Sequence, residues 1–268
     1  MRQIVILFTM ENVIETASLE TKSSVGGLSV WNESFRGVDI PGSTRVPIRE
    51  INDFFKGETE NLRGLDVGSG GGRSTKALKE FFKGSDIVAL DLSHEGLLLT
   101  DTPKKVQAKA EELPFKPEAF DFINVCGVMT NIVDENPEKA RELRANAMSA
   151  LYTVLKPGGC IVISDFSADH QLDNYAVNYD RHALITKERG TIAVLKNGET
   201  FLGKSDGEIA ALEGSDNIER YAHHYTPKEL VDLLQEAGFK VDRYSVEVGL
   251  TPKGKKPIEN IVVLAKKT

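Results

Sequence analysis

The chain has 268 residues, of which 40% are hydrophobic and 27% charged, the make-up of a globular protein with one sizeable core and not of a disordered chain. Its net charge of −7 counts against a nucleic-acid backbone as the main partner. Two cysteines, Cys126 and Cys160, make neither a disulfide framework nor a zinc site and read as small buried hydrophobes in apolar runs.

The start, Met1 to Phe8, has the look of a leader, but its apolar run is too short and Glu11 follows at once. No stretch reaches the about 20 apolar residues of a membrane span; a cytoplasmic location is the expectation. Residues 1–60 are an irregular or helical lid, broken by Gly26-Gly27, Pro41-Gly42 and Pro47. A helix from Pro47 would put Ile48, Ile51, Phe54 and Phe55 on one face and end at Gly57. Trp31 reads as core packing or part of the lid.

From Leu62 the pattern is strand, helix, strand. Leu65-Asp66-Val67 ends a strand; Thr75, Leu78, Phe81 and Phe82 mark a helical face; Ile87 to Leu90, Val106 to Ala108 and Phe120 to Cys126 are further strands. Asn136 is an N-cap with Pro137 behind it, and Ala140, Leu143, Ala147, Leu151 and Leu155 line a long helix stopped by Lys156-Pro157-Gly158-Gly159. Cys160 to Ser164 is apolar enough for a strand buried on both faces. Thr226-Pro227-Lys228-Glu229 is a capping box for a last helix with Leu230, Leu233, Leu234 and Ala237 inward, and two strand-like runs close the chain. This is an α/β chain: a doubly wound, mostly parallel seven-stranded sheet with an antiparallel last strand. Residues 61–165 form its Rossmann-like core and 226–268 its closing elements. Residues 166–225 interrupt the alternation, with a hairpin signal at Asn197-Gly198.

Asp66-Val67-Gly68-Ser69-Gly70-Gly71-Gly72, between a strand and a helix, lets the backbone approach a ligand closely. A dinucleotide and S-adenosylmethionine (SAM) both suit such a turn. Arg73 stands where the dinucleotide fingerprint needs a third small residue, and an acid before the first glycine suits a cationic ligand better than a pyrophosphate. Asp91, at the end of the second strand, can accept hydrogen bonds from ribose hydroxyls of either ligand.

These segments resemble class I SAM-dependent methyltransferases. Leu65 to Gly72 is similar to their first motif and Val88 to Ser93 to their ribose strand. Ala110-Glu111-Glu112-Leu113-Pro114-Phe115, Leu155-Lys156-Pro157-Gly158-Gly159 and Tyr225 to Leu230 are similar to segments of the ubiquinone/menaquinone-biosynthesis-like branch. The resemblance implies that Asp66, Gly68 and Gly70 face the methionine part of SAM, with Ser69 also at the cofactor. It implies further that Asp91 holds the ribose, Leu92 flanks the adenine, Ala110 and Glu111 approach the adenine edge, and Cys126 lies near the cofactor. Lys109 departs from the aspartate this branch often carries for the adenine amine. No metal is expected.

The expected reaction is methyl transfer to a small or medium-sized metabolite. The alternatives are an RNA or protein acceptor, SAM binding without turnover, and, from the glycine loop alone, an NAD(P)-dependent oxidoreductase. A homodimer is compatible with the sequence. The 166–225 insertion leaves the carboxyl end of the fifth strand, where ligands of open α/β sheets bind, and is read as a substrate cover. It offers His170, Tyr175, Tyr179, Arg181, His182, Arg220, His223 and Tyr225. Of these His223, Tyr179 and Tyr175 are the candidate catalytic residues. Polar loop residues (His223-His224) and helix packing (Tyr175, Tyr179) are the competing readings.

Overall fold

The computed structural model describes residues 45–168, 179–196, 204–250 and 257–268. Trp31, His170, Tyr175 and the Asn197-Gly198 turn lie outside them.

A seven-stranded sheet runs in the order β3-β2-β1-β4-β5-β9-β8. Its strands are β1 (Arg63–Val67), β2 (Asp86–Asp91), β3 (Lys105–Gln107), β4 (Phe120–Cys126), β5 (Leu155–Phe166), β8 (Lys240–Leu250) and β9 (Pro257–Lys266). β1 to β5 pair in parallel, and β9 lies antiparallel between β5 and β8. The sheet is therefore mostly parallel with an antiparallel last strand, as the alternation of elements predicts. β6 (Thr191–Leu195) and β7 (Ile218–His223) make a separate antiparallel ribbon. β6 is thus paired across the insertion and not, among the described residues, across the Asn-Gly turn.

The pleat divides the sheet's side chains between two cores. Leu65, Val67, Val88, Leu90, Ile123, Val125, Ile161 and Ile163 pack with α4 (Pro137–Val154) and α7 (Pro227–Glu236). Ile87, Phe122, Cys160, Val162, Val262 and Leu264 pack on the other face with α1 (Arg45–Phe54) and α2 (Arg73–Phe81). Cys160 to Ile163 have no exposed surface, which explains their unbroken apolar run. Each such side chain contributes about 1.5–3 kcal/mol by burial. Phe81, assigned by periodicity to the inner face of α2, is 54% exposed; Phe82 takes the buried place.

The long helix starts as its cap predicts, with Asn136 Oδ1 accepting the Glu138 and Lys139 amides at 2.9 and 3.3 Å. Its inner face differs by one notable residue: Arg144 is 2% exposed, between Ala140 and Ala147. At α7 only half of the capping box forms. Thr226 Oγ1 accepts the Glu229 amide at 3.1 Å, but the Glu229 carboxylate goes to His223.

The insertion carries α5 (Tyr179–Thr186), β6, α6 (Asp206–Ala210) and β7. It has a small core of its own, in which Ile185, Ala193, Leu195, Ile209 and Tyr221 gather around Val133 of the main domain. No described helix is long and apolar enough to cross a membrane.

Candidate functional site

β1 ends at Val67, and the chain turns through Gly68 at φ 69° and Gly72 at φ 81° into α2. An added Cβ on Gly68 would stand 2.1 Å from Val128 Cγ2, and one on Gly72 2.6 Å from Thr100 Cα. Left-handed backbone and close neighbours thus both demand glycine. The loop folds onto the carboxyl end of β2. Leu90 O accepts the Gly68 and Ser69 amides at 2.7 and 3.0 Å, and Thr100 Oγ1 donates to Gly70 O at 3.1 Å.

Asp91 completes this clamp. Its Oδ2 accepts the Gly70 amide and its Oδ1 the Ser93 amide, each at 2.7 Å. Burial pushes its carboxyl above the ordinary value, against hydrogen bonds from the Ser93, Gly70 and Leu92 amides. Ser93 in turn caps α3 (His94–Leu99) through the Gly96 amide at 3.0 Å.

Asp66 has a different environment from the ligand-facing one expected of it. It has no exposed surface. Its Oδ2 accepts Ser74 Oγ and Thr75 Oγ1 at 2.6 Å each, and its Oδ1 accepts Asn124 Nδ2 at 2.7 Å. The carboxylate therefore pins the first turn of α2 and the middle of β4 to β1. Burial raises its pKa, with these three hydrogen bonds opposing and the nearby Asp91 adding to the rise.

The other expected cofactor residues surround the same sheet edge. Gln107 Nε2 donates to Leu92 O at 3.0 Å and the Ala108 amide to Asp91 O at 3.2 Å, which brings the segment after β3 beside the end of β2. Ala110 is buried there, and burial raises the Glu111 carboxyl while Lys109 opposes the rise. Cys126 ends β4, half-buried, opposite Ser164 of β5. Ser69 Oγ and Asn124 Oδ1, both buried, have no hydrogen-bond partner among the described residues.

This edge fits a cationic nucleoside. Two carboxylates flank the glycine loop, which disfavours a pyrophosphate, while the orphaned Ser69 hydroxyl leaves a polar group for a ligand. Among the described residues no group of three His, Cys, Asp or Glu could hold a metal ion.

Beside it, the end of β5 receives the insertion's return strand. Ser167 bridges Tyr225 in parallel, the Tyr225 amide donates to Phe166 O at 3.0 Å, and the Ala168 amide donates to Tyr225 O at 2.7 Å. Tyr225 Oη donates to Met129 O at 2.9 Å. Asp165 is fully buried just before this junction, accepting the Thr130 and Phe166 amides at 3.0 and 2.8 Å. Burial pushes its carboxyl up to about 7 despite these bonds.

Successive residues of an extended strand point opposite ways, and His223 and His224 part company accordingly. His224 packs against Phe166 with ring centroids 5.3 Å apart, and its Nδ1 lies 2.9 Å from Tyr179 Oη. Tyr179 is thus near the end of β5. His223 is not an open base. It is 1% exposed, with Nε2 2.9 Å from Glu229 Oε1 and Nδ1 2.7 Å from Thr191 Oγ1. The reading of the pair as polar loop residues fails too, since His223 ends β7 and both histidines are buried. His182 receives the Ala193 amide on Nδ1 at 3.2 Å, and burial, with Arg181 beside it, lowers its pKa to about 4.

Residues 42–244 match the family model of the methyltransferase domain. The chain is 27% identical over 146 residues to the ubiquinone/menaquinone biosynthesis C-methyltransferase of Klebsiella pneumoniae, covering 54% of this chain and 49% of that one. To the Proteus mirabilis protein of the same name it is 24% identical over 204 residues, 72% of each chain. It spans about half the length of several of the curated relatives it matches. Among solved structures, a SAM-dependent methyltransferase from Methanosarcina mazei superposes with a TM-score of 0.61 at 25% identity, over 78% of this chain and 93% of that one. The 1,6-didemethyltoxoflavin-N1-methyltransferase of Burkholderia thailandensis shares the fold with a TM-score of 0.54 at 18% identity, over 85% of this chain and 79% of that one. The chain belongs to the methyltransferase-domain family and has the class I SAM-dependent methyltransferase fold.

Proposed function

We propose that this chain transfers the methyl group of SAM to a small or medium-sized metabolite, with SAM held at the carboxyl edge of β1, β2 and β4. The observation that carries the reading is the glycine loop clamped on Asp91, with Ser69 Oγ buried and unpaired beside it. Gly68, Ser69 and Gly70 would line the methionine part and the unpaired Ser69 hydroxyl would bond to it, the three amides themselves being given to Leu90 O and Asp91 Oδ2. Asp91 has lone-pair capacity left beyond the amides it accepts, enough to take a ribose hydroxyl as well. Leu92, Ala110 and Glu111 would border the adenine, and Cys126 the cofactor's inner side. Asp66 would act at one remove, by fixing the loop and α2.

SAM supplies an activated methyl group on a cationic sulfur, so the protein's work is to bind, orient and exclude water. The acceptor would enter beside the end of β5, under residues 166–225, where Phe166, Tyr179 and His224 form an aromatic wall. An acidic chain supports a small acceptor over a nucleic acid. Relatives named for quinone biosynthesis make electron-rich aromatic rings the first acceptors to try. The test is transfer of a labelled methyl group from SAM into a metabolite extract and a panel of quinols and phenols. A labelled small product supports the reading; label entering only RNA or protein, or none despite SAM binding, overturns it.

A further inference from the structure

A chain of buried and half-buried charged groups joins the insertion to the main domain, and the cofactor edge does not use it. Arg144, on α4, forms an ion pair with Glu188 on the α5–β6 turn, through both terminal guanidinium nitrogens. Thr191 Oγ1 donates to Glu188 Oε2 at 2.5 Å and lies 2.7 Å from His223 Nδ1, which is itself 3.4 Å from the same carboxylate oxygen. His223 Nε2 then reaches Glu229, on α7. The ring of Tyr225 closes on His223 edge to face at 4.7 Å. Gly190 fits the turn tightly beneath: an added Cβ would stand 2.8 Å from His224 O and 3.0 Å from His223 Cε1.

We propose that Arg144, Glu188, His223 and Glu229 form a latch that seats the unit of α5, β6 and β7 on the main domain, and that loss of the His223 proton loosens it. Arg144 and His223 are then positioning residues for the acceptor side. Two cations balance two carboxylates when His223 is protonated; without that proton the buried cluster carries a net negative charge, which a low-dielectric interior penalises. The groups facing His223 are Glu188 from the α5–β6 turn, Thr191 at the start of β6, Arg144 from α4, Glu229 from α7, Tyr225 from its own segment and Asp165 from β5. Burial lowers the His223 pKa, and hydrogen bonds to Glu188 and Glu229 more than reverse this. Burial likewise raises Glu188, while His223 and Arg144 bring it down to about 2. A raised histidine stabilises fully below its unfolded value of about 6.5 and loses that contribution as pH rises through the folded value. A depressed glutamate stabilises above its ordinary value of 4.5 and fails only toward 2. The latch is therefore closed in mildly acid solution and loosens on the alkaline side.

The docking itself does not depend on the proposed methyl transfer; only its consequence for turnover does. Hydrogen exchange on the full chain tests it without a known acceptor. Corrected for intrinsic chemistry, protection of the β6–β7 ladder should fall about tenfold more than that of β4 and β5 between pH 5.5 and 8.5, since local openings cost less than global unfolding. His223→Gln should loosen the ladder at both pH values and abolish that excess. Glu229→Gln, milder at a partly exposed position, should reduce it and serves if His223→Gln fails to fold. Affinity for S-adenosylhomocysteine should stay within about threefold in both. Ladder protection that ignores pH, or that moves in step with β4 and β5, overturns the latch. Failure to bind S-adenosylhomocysteine at all, with the exchange pattern intact, would count against the proposed function instead.

Discussion

The Asp91 carboxylate accepts the Gly70 amide at 2.7 Å, so the residue expected to hold a ribose also holds the loop expected to cradle the methionine part. The two halves of the proposed cofactor site are mechanically one unit. Loss of Asp91 should therefore be felt twice. Asp91→Ala removes an acceptor for ribose hydroxyls and strands two buried amides, each costing about 1–3 kcal/mol. We expect S-adenosylhomocysteine binding to weaken roughly 10–1000-fold and Tm to fall in the same variant. Asp91→Asn, which keeps one carbonyl acceptor, should fall between. Calorimetry giving unchanged affinity for Asp91→Ala would remove the residue from the site.

Cofactor choice gives a second test. SAM and S-adenosylhomocysteine should raise Tm, while NAD and NADP should not, because Asp66 and Asp91 flank the loop and Arg73 follows it. Ligand at about 100 times its Kd adds roughly 2.7 kcal/mol, or about 5–10 °C for a chain of this size. Stabilisation by NAD alone would reverse the assignment.

Gly68 should be intolerant of any side chain. Gly68→Ala adds about 1–2 kcal/mol of left-handed strain and drives a methyl into Val128, only 2.1 Å away. The pair Gly68→Ala/Val128→Ala should recover the clash but not the strain. Full recovery in a denaturation double-mutant cycle would show that the left-handed turn is not needed.

Much of this was readable locally. The central strands β2, β4, β5 and β9 each contain an apolar run, because strands buried on both faces cannot hide their composition. The glycine loop and Asp91 were legible because a strand–turn–helix with an acid at the next strand end is a short-range pattern. What escaped is long-range. Arg144 sits at a helical position where periodicity places Leu143, and only Glu188, 44 residues on, explains a buried guanidinium. Asp66 shows the same limit: its motif suggests a ligand contact, while its partners Ser74, Thr75 and Asn124 make it a brace. The tandem histidines were separable in principle by strand alternation, had β7 been recognised to run as far as His223.

Asp165 makes stability depend on pH in a defined direction. Its folded pKa is pushed up to about 7 by burial, from an ordinary 3.8. The folded chain therefore keeps a proton that the unfolded chain releases, and stability falls as pH rises from about 4 to about 7. Asp165→Asn cannot ionise and should flatten that part of the slope, although it disturbs the Thr130 and Phe166 amides and lowers stability at acid pH. Urea denaturation of both proteins at pH 5 and 8 checks this. An equal slope in the two would mean that Asp165 is ionised throughout.

The insertion is the most exposed expectation, and Tyr179 and His224 are where to probe it. If residues 166–225 select the acceptor, substitutions at the end of β5 should harm methyl transfer and spare SAM. Tyr179 Oη lies 2.9 Å from His224 Nδ1, and the imidazole packs against Phe166, the last residue of the strand that borders β4. Tyr179→Phe removes one hydroxyl from a buried pair and should leave the fold within about 1–2 kcal/mol of its stability. His224→Gln keeps a hydrogen-bonding side chain but not a titrating ring. Once an acceptor is in hand, we expect kcat/KM for it to fall at least about tenfold in each, equivalent to about 1.4 kcal/mol of transition-state stabilisation. Affinity for S-adenosylhomocysteine should remain near that of the parent. A role confined to packing would lower Tm and leave kcat/KM at a permissive temperature untouched. Equal losses in transfer and in S-adenosylhomocysteine binding would place the pair at the cofactor, and residues 1–60 would become the better candidate for choosing the acceptor.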